Sequence, residues 1–129
     1  MKYFISLSIV NHSYSVNNSI CEVNTNNESE LFNILSEKIS NVDSTPNMIH
    51  RIQEVLQSLS EQEILSYNSY KEVSKDYNID STAEFETIIE KTETSFKVEL
   101  HRNVFSSSSV LMQNRYMTDS ILIQILITN

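Results

Sequence analysis

Period-two apolar patterning at both ends of the chain and helical patterning between them predict an α+β domain. The expected architecture is an N-terminal β-hairpin, three to four central helices and two to three C-terminal strands. These form one mainly antiparallel sheet with helices on one face. At 129 residues and 40% hydrophobic content, the chain reads as one domain over 1–129 with enough apolar surface for a core.

Tyr3, Ile5, Leu7 and Ile9 alternate with Phe4, Ser6, Ser8 and Val10, which is the pattern of a strand with one apolar face. Asn11-His12-Ser13 supplies a turn, and Tyr14 to Val23 completes the hairpin, with Asn17-Asn18 placed to host a bulge where glycine would be usual. The period then changes. Leu31, Ile34, Leu35, Ile39 and Val42 share a helical face behind Asn27, an N-cap with Glu30 three residues on, so a first helix is expected over 28–42. Ser44-Thr45-Pro46 starts a second helix, whose stripe of Met48, Ile49, Ile52, Leu56 and Leu59 ends near Leu59.

Ser60-Glu61-Gln62-Glu63 matches a capping box and predicts a third helix reaching about Tyr77. Ser81-Thr82-Ala83-Glu84 repeats that signature, predicting a short fourth helix from Thr82 to about Lys91 that carries Phe85, Ile88 and Ile89. Thr87, Thr92 and Thr94 would also suit a strand there. From Ser95 the period returns to two, with Phe96, Val98 and Leu100 on one face and Lys97, Glu99 and His101 on the other. Val104 to Arg115, with its run Ser106 to Ser109, reads as a loop followed by a strand. Ser120 to Thr128 is apolar on both faces except at Gln124, as a central strand would be.

Lack of glycine removes phosphate-cradling loops, dinucleotide fingerprints and the strained nucleophile turn, all of which need a residue without a side chain at a close approach. Cys21 alone can form neither a disulfide within the chain nor a cysteine zinc cluster, so cytoplasmic residence is the simpler reading. The apolar start alternates like a strand and no small-residue cleavage site follows it, which argues against a signal peptide. The run Ile121 to Ile127 is too short to span a bilayer. His12, His50 and His101 have no second ligand at local spacing. No catalytic, cofactor or metal site is therefore expected, and no membrane partner.

Charge is the most directive feature. Of the net −8, the stretch from Glu54 to Glu93 carries −7, the remainder of the chain only −1. Clustered carboxylates disfavour direct binding of nucleic acid and suit a basic protein partner. On the expected third helix Glu61, Glu72 and Asp76 share one face beside a band of Tyr67, Tyr70, Val73 and Tyr77, and on the fourth Glu86 and Glu90 form a like-charged i,i+4 pair. Glu61, Glu72, Asp76, Tyr67, Tyr70, Tyr77, Glu86 and Glu90 are thus the candidate partner-binding residues, tyrosine being a common interface anchor. The expected function is a non-enzymatic protein-binding module, a small acidic inhibitor of the immunity, antitoxin or phage anti-defence type. The alternative is a chaperone or assembly subunit of a bacterial secretion system; a DNA mimic and an uncharacterised carboxylate enzyme rank below both. An unpaired edge on the C-terminal strand would favour a homodimer.

Overall fold

Strand β1 (Lys2–Val10) pairs antiparallel with β2 (Val16–Asn24), in unbroken register from Lys2 opposite Asn24 to Val10 opposite Val16. The expected bulge is absent: Asn17 and Asn18 oppose Ile9 and Ser8 one for one. Tyr3, Ile5, Leu7 and Ile9 are buried, as the alternation requires. The computed structural model describes residues 1–10, 16–42, 44–77, 83–105 and 116–128. Within these, the side chains of 16–17, 75–77, 83–84, 103–105 and 116–118 are not described. The expected turns around Asn11, Asn78 and Asp80, and the serine run at 106–109, lie outside the described residues.

Helix α1 spans Glu28–Ile39. Its cap is a three-residue network: the Asn27 side chain accepts from the Glu30 N–H at 3.2 Å, the Asn27 N–H donates to Thr25 Oγ1 at 3.0 Å, and that hydroxyl donates to the Glu30 carboxylate at 3.2 Å. These bonds satisfy donors that a helix start leaves without partners. Helix α2 spans Pro46–Glu61, with Thr45 accepting from the Met48 N–H and Pro46 in the first turn.

The third and fourth helices do not form. Among the described residues there are six antiparallel strands and two helices, and the four strands β3 (Tyr70–Tyr77), β4 (Ala83–Lys91), β5 (Ser95–Phe105) and β6 (Tyr116–Thr128) replace the expected two or three at the C-terminal end. No breaker separates Leu59 from Ser60, so α2 runs through the apparent capping box to Glu61. It is stopped at Glu63, whose φ of 53° and ψ of 49° are left-handed. That geometry costs a residue other than glycine about 1–2 kcal/mol. A single 3-10 turn, Ile64–Ser66, follows and buries Ile64 completely. In β4 the alternation of Phe85, Thr87 and Ile89 with Glu86, Ile88 and Glu90 sets one face toward the helices and one away. Cross-strand partners on both sides then outweigh helix propensity.

Strand order is β2-β1-β6-β5-β4-β3, so the N-terminal hairpin lies at one side and a four-strand meander at the other. β6 joins them by pairing with both β1 and β5. Both edges of the run Ile121 to Leu126 are therefore occupied by β1 and β5, so the free edge considered for that run is not present; the sheet edges are β2 and β3. The helices cover one face. α1 buries Leu31, Phe32, Leu35 and Ile39, and α2 buries Met48, Ile52, Leu56 and Leu59, against Phe96, Val98, Leu100, Ile121, Ile123 and Ile125 of the sheet. Phe32 meets Phe96 edge-on at 6.0 Å between centroids. Among the described residues no helix is long and apolar enough to cross a membrane. Among the described residues, no helix covers the opposite face of the sheet.

Candidate functional site

Two polar helix rows face each other across a groove of about 580 Å³. α1 supplies Ser29, Asn33 and Ser36, at i, i+4 and i+7, while α2 supplies His50, Gln53, Glu54, Gln57, Ser60 and Glu61; Phe32 closes the floor. The Gln53 amide donates to the Ser36 carbonyl at 3.1 Å and ties the helices together. His50 Nε2 lies 2.6 Å from Glu54 Oε1, and the Gln57 amide donates to Glu61 at 3.4 Å. Glu54 and Glu61, seven residues apart, are separated by about 10.5 Å along the axis, roughly the span of three residues of extended chain. Amides and hydroxyls between two carboxylates suit an extended segment bearing cationic side chains.

A second group forms where the chain enters β3. The Tyr67 and Tyr70 rings stand 5.7 Å apart, and the Tyr70 hydroxyl donates to the Glu72 carboxylate. That hydrogen bond, aided by burial and the negative charge of Glu72, pushes the Tyr70 phenol up to about 12. Two rings beside a carboxylate can take a guanidinium by stacking and ion pairing together. The segment is pinned from below: Glu28 accepts the Leu65 N–H at 3.0 Å, and Lys91, buried on the covered face, donates to the Thr92 carbonyl. Burial raises the Glu28 carboxyl above its ordinary value, with Glu63 adding to the rise and the Leu65 bond and Lys91 opposing it; burial also lowers Lys91.

Charge divides by side. Exposed or half-buried on the helix-bearing side, among the described residues, are Glu28, Glu30, Glu37, Glu54, Glu61, Glu63 and Glu72 against Lys38, Arg51 and Arg102, and Arg51 stacks on Phe85 and lines the same depression as Glu72. On the open face the described side chains are nearly balanced, Lys2, Lys71 and Lys97 against Glu22, Glu86, Glu90 and Glu99. There Lys97 lies 3.6 Å from Glu90 and 3.4 Å from Glu99, and His101 lies 3.2 Å from Glu99. Burial alone would raise Glu99, but the His101 hydrogen bond and Lys97 outweigh it and hold the carboxyl below its usual range.

The eight candidate residues thus do not share one surface. Glu61 sits in the groove, while Tyr67, Tyr70 and Glu72 come together beside it in sequence at the start of β3. Glu86 and Glu90 lie on the open face; as strand residues they stand about 13 Å apart, so the expected i,i+4 repulsion is absent. Asp76 and Tyr77 lie on β3, but their side chains fall outside those described. Sequence reasoning missed His50, Gln53, Glu54 and Gln57 as a group. The spacing 50, 54, 57, 61 on the polar side of α2 was the available signal. Among the described residues, no three His, Cys, Asp or Glu side chains are grouped to hold a metal ion. Comparison with protein-family models, with curated proteins and with solved structures finds no match.

Proposed function

We propose that this chain is a non-enzymatic protein-binding module, a small acidic inhibitor that engages a basic partner protein through its helix-bearing side. The observation that carries the reading is the division of charge between the two sides: among the described residues that are exposed or half-buried, seven glutamates stand against Lys38, Arg51 and Arg102 on the helix side, whereas four stand against three lysines on the open face. A basic partner is steered toward the first side and not the second. The α1–α2 groove supplies the polar lining for a segment of that partner, and Tyr67, Tyr70 and Glu72 supply a place for an arginine.

Affinity capture from the native host at rising salt tests this. Recovery of one basic protein should fall as ionic strength rises from about 0.05 to about 0.5 M, over which screening shortens from ~14 to ~4 Å. The triple reversal Glu54→Lys, Glu61→Lys, Glu72→Lys should abolish recovery, while Glu86→Lys with Glu90→Lys should spare it. Recovery that ignores salt, or loss confined to the open-face pair, would contradict the proposal.

A further inference from the structure

We infer that the open face of the sheet is a homodimer interface, packing against the same face of a second copy. Exposed large apolar side chains concentrate on it: Phe4 is 37% exposed, Ile20 80%, Val73 52% and Leu126 50%. Phe4 and Leu126 are direct cross-strand neighbours, and with Ile20 they border a shallow depression of about 400 Å³. Phe4, Ile20 and Leu126 are contiguous on the adjacent strands β1, β2 and β6, while Val73 lies apart on β3, and exposed apolar surface of this kind marks a contact site in a protein otherwise rich in charge.

Charge selects the occupant. A chain of net −8 repels its own copy over most of its surface, but Lys2, Lys71 and Lys97 nearly offset Glu22, Glu86, Glu90 and Glu99 here. These ions are moreover paired within the face, Lys2 with Glu22 at 3.3 Å and Lys97 with Glu90 and Glu99. Covering these pairs buries opposite charges together. A basic partner gains little from a nearly neutral surface, and an identical copy meets less repulsion there than on the helix-bearing side. Size agrees as well. Six strands at ~4.8 Å spacing and about 27 Å of paired length give roughly 700 Å² per copy, close to the ~800 Å² per partner of a standard interface. A two-fold axis through the face would set the sheets about 10 Å apart and cross them at about 30°.

Light scattering and sedimentation of the full chain test the inference. At about 100 µM, two orders above a micromolar dissociation constant, the mass should be twice the 14.9 kDa of the chain and insensitive to moderate salt. Ile20→Glu with Leu126→Glu, which places like charges on the contact, should give a monomer with unchanged far-ultraviolet circular dichroism. Should that pair fail to fold, Ile20→Ser on the exposed edge strand should weaken the dimer at least tenfold, since the side chain is lost from both copies. A wild-type monomer at that concentration, including one that captures a different protein on this face, overturns the inference. So does a dimer that persists in the folded variants.

Discussion

Replacing Phe32 with alanine tests the junction on which both the helix layer and the groove depend. The ring is 3% exposed, floors the α1–α2 groove and meets Phe96 edge-on at 6.0 Å and 83°. Truncating a buried phenylalanine removes its transfer free energy and leaves a cavity, together about 3–5 kcal/mol. Of this, the geometry of the Phe32–Phe96 pair accounts for about 0.5–1.5 kcal/mol. A chain of 129 residues is expected to be stable by roughly 6–15 kcal/mol, so the variant stays folded in water but unfolds at a distinctly lower urea concentration. Equilibrium urea unfolding followed by circular dichroism gives the loss. A double-mutant cycle with Phe96→Leu and Phe32→Leu gives the coupling. A loss under about 1.5 kcal/mol for Phe32→Ala, together with no coupling, would refute the packing argument.

Asn27→Ala should cost about 1 kcal/mol in the same assay, because the Glu30 N–H loses its acceptor, and Asn27→Asp should restore most of it. In an absorbance titration Tyr70 should ionise at about 12 while burial and Glu28 also hold Tyr3 above the ordinary value, and Glu72→Gln should return Tyr70 alone toward 10. Because the folded value lies above the unfolded one, the stability this bond contributes is full below pH 10 and is lost as pH rises through the folded value; a loss near neutrality would contradict it. Lys91 has the opposite linkage: burial lowers its folded value, the unfolded chain binds more protons, and stability rises with pH up to the ordinary lysine value of 10.5. Wild type should therefore gain stability relative to Lys91→Met between neutral pH and that value, and a pH-independent difference would count against a buried charged amine.

The ends of the chain and both long helices were legible because each has one strong period and a local start signal. Tyr3 to Ile9 alternate without exception, Asn27 and Thr45 cap where expected, and the apolar run from Ile121 forms a strand paired on both edges. The middle failed where a local motif was read without its tertiary context. Ser60-Glu61-Gln62-Glu63 looks like a helix start, but it is the last turn of α2 and a left-handed stop at Glu63, a conformation that glycine usually announces and this chain contains none. Residues 83–91 fit two periods. Ile88 and Ile89 satisfy a helix, whereas Phe85, Thr87 and Ile89 satisfy a strand, and pairing with β3 and β5 decides.

The site was half legible for the same reason. An acidic region could be read from composition, but the side on which each carboxylate falls depends on whether its segment is helix or strand. Reading β4 as a helix placed Glu86 and Glu90 together on an acidic face. In the sheet they stand on a nearly balanced face, Glu90 beside Lys97, and the larger excess of carboxylates belongs to α1, α2 and the entry to β3.

The most direct test of the charge-divided surface is calorimetric affinity for the captured basic partner, measured for three folded forms. These are wild type, Glu54→Gln with Glu61→Gln in the groove, and Glu86→Gln with Glu90→Gln on the open face. An exposed ion contact is worth about 0.5–1 kcal/mol, so the groove pair should weaken binding by roughly 5–30-fold while the open-face pair changes it by less than about threefold. Equal effects from both pairs, or a larger effect from Glu86 and Glu90, would contradict the assignment of the binding surface to the helix-bearing side.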